Sequence, residues 1–427
     1  MSTSPSASST ILRQKLVANF LRYAAISSQS DAKAGVLPSS PGQMALARLL
    51  KGEVETLGLT DIKLTDQAIL TARLPARLPA ALAGKVPAIG FLAHLDTVNV
   101  HLSPDAKPRL VNAYPGGDLC LNAEKDLWLR TAEHPEIERY VGQDILVTDG
   151  TSVLGADNKA GIAAIMGALA ELVADPDACH GDLHVAFVPD EEIGLVGAKA
   201  MDLADFPVAF AYTLDSCELG EVVYETFNAA SVSIEIQGIT AHPMSAKGVL
   251  VNPTLAAIDL INHFDRHDTP EHTEGKEGYF WVRSVTSNDN LAVVKMNIRD
   301  HDKARYEARK RFIAEAVRLA EARHPKAKFK FSIEDSYGNI ADALGEDTKA
   351  CVDTIYQAMA RLGIEPKTVA MRGGTDGSCL SARGIPTPNF FTGAHNFHSP
   401  CEFLPIPSFE LSCRMVLEIS RLVSEVE

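Results

Sequence analysis

Three short apolar runs constrain this chain's fold more than any other feature: residues 87–93 (PAIGFLA), 183–188 (LHVAFV) and 208–214 (VAFAYTL). Each is too short for a helix that buries a full stripe, and none alternates polar with apolar residues. Such runs read as strands buried on both faces, the situation of strands in a parallel sheet sandwiched between helices. Helical patterning between and around them agrees, at residues 12–25, 42–57 and 159–174. The 427 residues exceed what one ordinary core holds, so two domains are expected.

From about Ala229 the pattern changes. Residues 231–237 (SVSIEIQ) alternate apolar and polar, the mark of a strand with one wet face. A helix (253–264), two strands (279–284 and 291–298), a charged helix (302–323) and a strand (328–334) follow. That β-α-β-β-α-β order is the ferredoxin-like split arrangement. The sequence therefore predicts an α/β fold with a mostly parallel-sheet larger domain and helices on both faces. An inserted ferredoxin-like α+β domain accompanies it. The expected boundaries are a disordered tail over 1–11, a larger domain of 12–226 and 337–427, and an inserted domain of 227–336.

Charge and cysteine usage narrow the function class. Forty Lys and Arg face 55 Asp and Glu, a formal charge of −15, which argues against a nucleic-acid partner and against an anionic membrane surface. The seven cysteines are odd in number and form no CxxC pair, so reduced thiols in a cytoplasmic protein fit better than a disulfide framework. The N-terminal MSTSPSASST has no apolar signal core, and no window approaches the roughly 20 apolar residues a membrane span needs.

Chemistry is suggested by what ends each apolar run. In open α/β sheets, ligands bind beyond the carboxyl ends of the strands. The first run leads into His94-Leu95-Asp96, the second into Pro189-Asp190-Glu191-Glu192 and the third into Asp215, while Asp157 precedes the helix at Lys159. His94 and Asp96 share a face of an extended segment, so the imidazole can bind a metal while the carboxylate orients it. Of two adjacent glutamates, one can ligate a metal while the other moves a proton from water to the leaving amine. Taken singly, Asp157 is an ordinary helix N-cap, 190–192 an exposed acidic turn, and His395 and His398 ordinary histidines. Jointly the ordinary readings weaken, because random surface acids need not all fall at strand ends. The segment RGGTDG (372–377) matches no nucleotide-binding signature, and its Arg372 can clamp a carboxylate. No GxSxG elbow occurs, and no cysteine lies in a catalytic signature.

These residues in this order resemble the peptidase T family, a branch of the two-zinc peptidases and acyl-amino-acid hydrolases. The matching stretches are AHLDT (93–97), LGADNKAGIAAIM (154–166), PDEEIG (189–194), AYTLD (211–215), FNAASV (227–232), AHPMSAKG (241–248), HTEGKEGY (272–279), RGGTDG (372–377) and FTGAHNFH (391–398). HLDT alone marks only the wider group; FNAAS, HTEGKEG and RGGTDG together are much more specific. The resemblance implies an aminopeptidase that releases the N-terminal residue of tripeptides or similar short peptides by means of a metal-activated water. It implies two Zn²⁺ ions, with Mn²⁺ or Co²⁺ as substitutes, held by His94, Glu192, Asp215 and His398 with Asp157 as the bridge. Glu191 is then the general base and acid, and Asp96 orients His94. The resemblance further makes the larger domain the two-metal catalytic domain and the inserted domain (227–336) its lid, from which His242 is expected to stabilise the oxyanion and Arg299 to bind the peptide carboxylate, with Arg372 doing similar work from the catalytic domain. The lid is also a candidate homodimer surface. The alternative within the group is a two-zinc carboxypeptidase or N-acyl-amino-acid deacylase; a metal-binding protein without catalysis is disfavoured by Glu191. Two segments depart from the family pattern, Ser216-Cys217 where glycines are usual and Ser399-Pro400-Cys401-Glu402 in place of GKHE. Residue 158 is Asn rather than a second Asp.

Overall fold

A computed structural model describes residues 7–346 and 348–425. It divides into two compact units, one of Glu225–Asp342 with Ala370–Gly374 and one made of the remaining chain.

In the larger unit, α1 (Ala7–Ala24) and α2 (Pro41–Thr56) precede β1 (Thr60–Leu64), β2 (Leu70–Leu74) and β3 (Ile89–His94). Four short strands form an excursion: β4 (Arg109–Val111), β5 (Leu119–Asn122), β6 (Leu127–Leu129) and β7 (Ile145–Val147). Then come α3 (Ala156–Ala174), β8 (Leu183–Val188), α4 (Val196–Ala200), β9 (Phe210–Ser216) and β10 (Glu221–Thr226). The smaller unit carries β11 (Asn228–Gln237), α5 (Pro253–Ile261), β12 (Tyr279–Ser287), β13 (Leu291–Asp300), α6 (Lys303–Arg323) and β14 (Lys328–Tyr337). After it follow α7 (Ala350–Leu362), β15 (Lys367–Met371), α8 (Asp376–Ala382), β16 (Asn389–Phe391), β17 (Phe403–Pro405) and α9 (Ile406–Ser424).

The main sheet has the order β1-β2-β8-β3-β9-β16-β10-β15. Its centre, β8-β3-β9-β16, is parallel, while β1 runs antiparallel to β2, β2 to β8 and β10 to β16. Strand periodicity explains why the central runs are apolar throughout. Ile89, Phe91 and Ala93 of β3 point with Leu183, Val185 and Phe187 of β8 into a core shared with α1, α2, α3, α7 and α9. The residues between them, Leu92 together with Ala186 and Val188, point to the other face, where Leu380 of α8 and Phe206 cover them. Both faces are dry, so the polar positions of the two strands are confined to His184 of β8 and His94 at the end of β3.

The smaller unit is a four-stranded antiparallel sheet, β12-β13-β11-β14, packed on α5 and α6. Along β11 the core face is Ala230, Val232, Ile234 and Ile236, all buried, with more exposed residues between them. The expected β-α-β-β-α-β order is present.

Three boundaries differ from the sequence expectation. The first helix starts at Ala7, so residues 7–11 are helical rather than tail, and residues 1–6 lie outside the described residues. Leu12, Leu16, Phe20 and Tyr23 explain that helix, since their spacing lays one buried stripe on the core. The smaller unit is wider than 227–336. Its base is closed by Asn339, whose side chain accepts from the Thr226 amide at 2.9 Å and whose own amide donates to Asn228 at 3.1 Å. It also takes in Ala370–Gly374, where Gly373 O accepts from the Phe227 amide at 3.1 Å. Side-chain-to-backbone closures of this kind leave no periodicity to read. Finally, β9 runs to Ser216, which places Asp215 inside the strand rather than after it.

A candidate metal centre at the strand ends

The parallel register brings the carboxyl ends of β3, β8 and β9 to one edge of the sheet. His94 is the last residue of β3, Glu191 and Glu192 follow β8 after two residues, and Asp215 is the penultimate residue of β9. Asp157 stands in the first turn of α3, with backbone angles of −82° and 101° that are not helical. The N-cap reading of Asp157 therefore does not hold: Gly155 occupies that position and the Asp157 carboxylate faces the strand ends. The peptide bond between Asp157 and Asn158 is cis.

Asp157 divides its two oxygens between two imidazoles. Its Oδ1 lies 2.8 Å from His94 Nε2 and its Oδ2 3.0 Å from His398 Nε2. Asp215 Oδ1 approaches the same His94 nitrogen at 3.6 Å, and Glu192 Oε1 the same His398 nitrogen at 2.9 Å. The arrangement is two lobes, His94 with Asp215 and His398 with Glu192, sharing one carboxylate. Single donor atoms of His94, Asp157 and Glu192 lie within 4.8 Å of one another.

The surroundings fix these groups. Asp96 is wholly buried and its carboxylate does three things: Oδ1 lies 3.2 Å from His94 Nδ1 and accepts the Glu191 amide at 3.0 Å, while Oδ2 accepts the Glu192 amide at 3.2 Å. Asp190 is not part of an exposed acidic turn. It is fully buried at a φ of 57°, in the left-handed region that favours glycine, and its carboxylate is gripped by the Ser39 amide (2.7 Å) and Gln43 Nε2 (2.7 Å). The Gln43 side chain returns the contact by accepting the Asp190 amide at 2.9 Å. That clamp turns the chain so that Glu191 and Glu192 project from the strand end. Glu402, also buried, accepts the Gly155 amide at 2.9 Å and the Asp157 amide at 3.2 Å, which holds the shared carboxylate's backbone.

The electrostatics match a place for positive charge. Burial, with the Asp157 charge adding to it, lifts Glu192 to about 7 and Asp215 to about 6, against the pull of His398 and His94. Burial alone would lower both histidines. Hydrogen bonds to the carboxylates outweigh it, raising His94 well above its ordinary value and His398 to about 11. Burial likewise raises Glu191 far above the usual carboxylate range and Glu402 to about 8. Two imidazoles leave these carboxylates short of counter-charge, and nitrogen and oxygen donors at such spacings suit divalent cations of the zinc type.

His395, read from the sequence as an ordinary histidine, stands apart from the centre. It is buried, stacked on Phe403 at 4.7 Å between centroids and bonded to the Tyr140 hydroxyl at 2.7 Å, a structural histidine. His242, Arg299 and Arg372 all belong to the smaller unit. His242 is exposed and caps a short 3₁₀ turn, accepting the Met244 amide at 3.2 Å. The Arg299 guanidinium lies 5.3 Å over the Tyr337 ring and donates to Ile298 O at 3.0 Å. Arg372, expected in the catalytic domain, instead joins the smaller unit. Its guanidinium lies 5.3 Å from the rings of both Phe227 and Tyr279, and it donates to Gly275 O (3.2 Å), Glu277 O (3.0 Å) and Thr273 Oγ1 (2.7 Å).

Sequence reasoning passed over three groups. Glu402 was noted only inside a divergent segment. Lys159 is buried, donates to Ile26 O at 2.7 Å, and burial brings its pKa down to about 7. Asp376 is 2% exposed and held far above the usual carboxylate range, chiefly by burial and then, against the opposing pull of His94, by the charges of Asp215, Asp96 and Glu192. Asp376 sits among the glycines of RGGTDG, where no apolar periodicity marks a buried position.

The chain is similar to known proteins over nearly its whole length. The family described as Peptidase family M20/M25/M40 matches residues 155–421. The chain is 55% identical to a peptidase T-like protein of Yersinia pestis, over 96% of this chain and 97% of that one. It is 39% identical to the peptidase T of Bacillus velezensis, over 97% and 100% respectively. Among solved structures, an aminopeptidase PepT from Bacillus cereus superposes with a TM-score of 0.74 at 21% identity, covering 97% of this chain and 99% of that one.

Proposed function

The chain belongs to peptidase family M20/M25/M40, among its peptidase T members, and on that premise we propose that it is a metal-dependent aminopeptidase releasing the N-terminal residue of tripeptides and similar short peptides. The observation that carries the reading is Asp157, one carboxylate shared between His94 and His398, each of which is flanked by a second carboxylate. We assign His94, Asp157 and Asp215 to one ion and His398, Asp157 and Glu192 to the other, with zinc as the metal and manganese or cobalt as substitutes. When bound, a pair of such ions polarises the peptide carbonyl and lowers the pKa of a water.

The chain's own groups do the rest. Glu191 takes the proton from the attacking water and delivers it to the leaving amine, general acid–base work typically contributing about 10²–10⁴-fold. Asp96 holds the Glu191 and Glu192 amides with one carboxylate, so the base and the ligand beside it keep fixed separate directions. His242 is assigned to the developing oxyanion and Arg299 to the substrate carboxylate. Arg372 already makes three hydrogen bonds to 273–277, so its task is to shape that segment of the smaller unit. The smaller unit is also the proposed homodimer surface. Seven cysteines without a disulfide support a cytoplasmic setting.

The test offers the purified protein a free tripeptide, the matching dipeptide and the N-acetylated tripeptide, each with and without a chelator. Chelator-sensitive release of the first residue from the free tripeptide alone is expected. Cleavage of the acetylated peptide instead would move the protein to the deacylase branch.

A further inference from the structure

Glu191 aside, which is assigned to proton transfer, the carboxylates described around the centre have oxygens engaged by named partners, with one exception. The oxygens of Asp157, Asp215 and Glu192 described above face imidazoles, those of Asp96 accept two amides, those of Glu402 accept two more, and Asp190 is clamped by Ser39 and Gln43. Asp376 Oδ1 is buried and has no hydrogen-bond partner among the described residues. A buried carboxylate oxygen left unpaired is costly, and native proteins keep such groups where a ligand completes them.

Its place in the fold is firmly set. Thr375 caps α8 in a capping box with Ser378, which fixes the backbone on either side of Asp376. Gly377 lies so close to β9 and the 387 segment that a Cβ there would stand 3.4 Å from Thr213 Oγ1 and 2.4 Å from Thr387 O. Thr213 is two residues before Asp215, so the start of α8 lies alongside the end of β9 that carries a ligand.

We propose that Asp376 anchors the free α-ammonium group of the peptide substrate and is thereby the residue that makes this centre an aminopeptidase rather than a deacylase. The inference rests on the aminopeptidase reading above and names its specificity determinant. An ammonium brings a full positive charge and N–H donors to the unpaired oxygen, forming a charge-assisted hydrogen bond in a dry site. An N-acyl amide brings no charge, and leaves the buried carboxylate without a counter-ion.

The experiment compares a free tripeptide, Ala-Ala-Ala, with its desamino counterpart, propionyl-Ala-Ala, on wild type and on Asp376→Asn, both loaded with zinc. Removing one partner of a buried charge pair is strongly felt, so wild type is expected to prefer the free amine on the order of 10²-fold in kcat/KM. Asp376→Asn should lower that preference at least tenfold, with metal content by elemental analysis unchanged and KM for the free tripeptide raised. A calorimetric titration with L-alanine should show the same loss, and Asp376→Ser repeats it should the Asn variant fold poorly. Equal losses on both peptides, or loss of metal, would overturn the proposal and make Asp376 a structural or ligand-supporting group. A wild type that leaves free tripeptides uncut sinks the aminopeptidase reading itself; one that cuts them, with the preference intact in both variants, sinks only the role of Asp376.

Discussion

Glu191 and Glu192 are neighbours with separate duties, and substitution should separate them. Glu191→Gln keeps the Asp96–amide contact and every proposed ligand, so metal content is expected to stay at the wild-type value while kcat falls about 10²–10⁴-fold. Elemental analysis beside tripeptide kinetics checks it, and metal loss in that variant would show the two roles exchanged. His395 makes a different prediction. Burial lowers its pKa to about 4 from an ordinary 6.5, so the unfolded chain binds a proton there that the folded one refuses. The stability this histidine contributes is complete above about pH 6.5 and is lost as pH falls towards 4, a swing of about 3 kcal/mol. Urea midpoints of chelator-stripped protein between pH 7 and 5 should therefore fall less steeply in His395→Gln than in wild type.

At the scale of elements, the junction of α3 with β9 is where packing and chemistry meet. A Cβ at Gly161 would stand 2.0 Å from Asn158 Oδ1 and 2.5 Å from Leu214 O, the carbonyl just before Asp215. Gly161→Ala must push helix and strand apart, at a cost of about 1–3 kcal/mol. The same shift moves Asp157 and Asp215 relative to each other, so metal affinity should fall along with the urea midpoint; a stability loss with unchanged affinity would uncouple the two. The sequence did show the elements on which these residues sit, because long helices and doubly buried strands announce themselves by periodicity. It did not show the loop geometry between them. The left-handed Asp190 depends on Ser39 and Gln43, roughly 150 positions away in the chain, and no local pattern encodes a partner that distant.

For the whole molecule, the smaller unit has its own core, centred on Ile234, Met296, Ile298 and Ile313, and holds none of the five proposed ligands. Ile298→Ala is expected to cost this unit about 2–5 kcal/mol. Calorimetry should show the loss, and the metal stoichiometry of the larger unit should not change. Loss of metal in this variant would mean that the two units fold as one.

Taken alone, the sequence determined the fold class and the insertion, and strand-end position pointed to His94, Glu192 and Asp215, while Asp157 and His398 entered the set only through the family resemblance. It also carried RGGTDG and Glu402 in plain view without revealing their use. Whether Asp157 caps a helix or joins two histidines, which loop Arg372 bonds to, and whether the acid in RGGTDG is paired are questions of distance between segments far apart in the chain. Those distances are set by how the sheet edge, α3 and α8 pack together, and only the tertiary structure decided them.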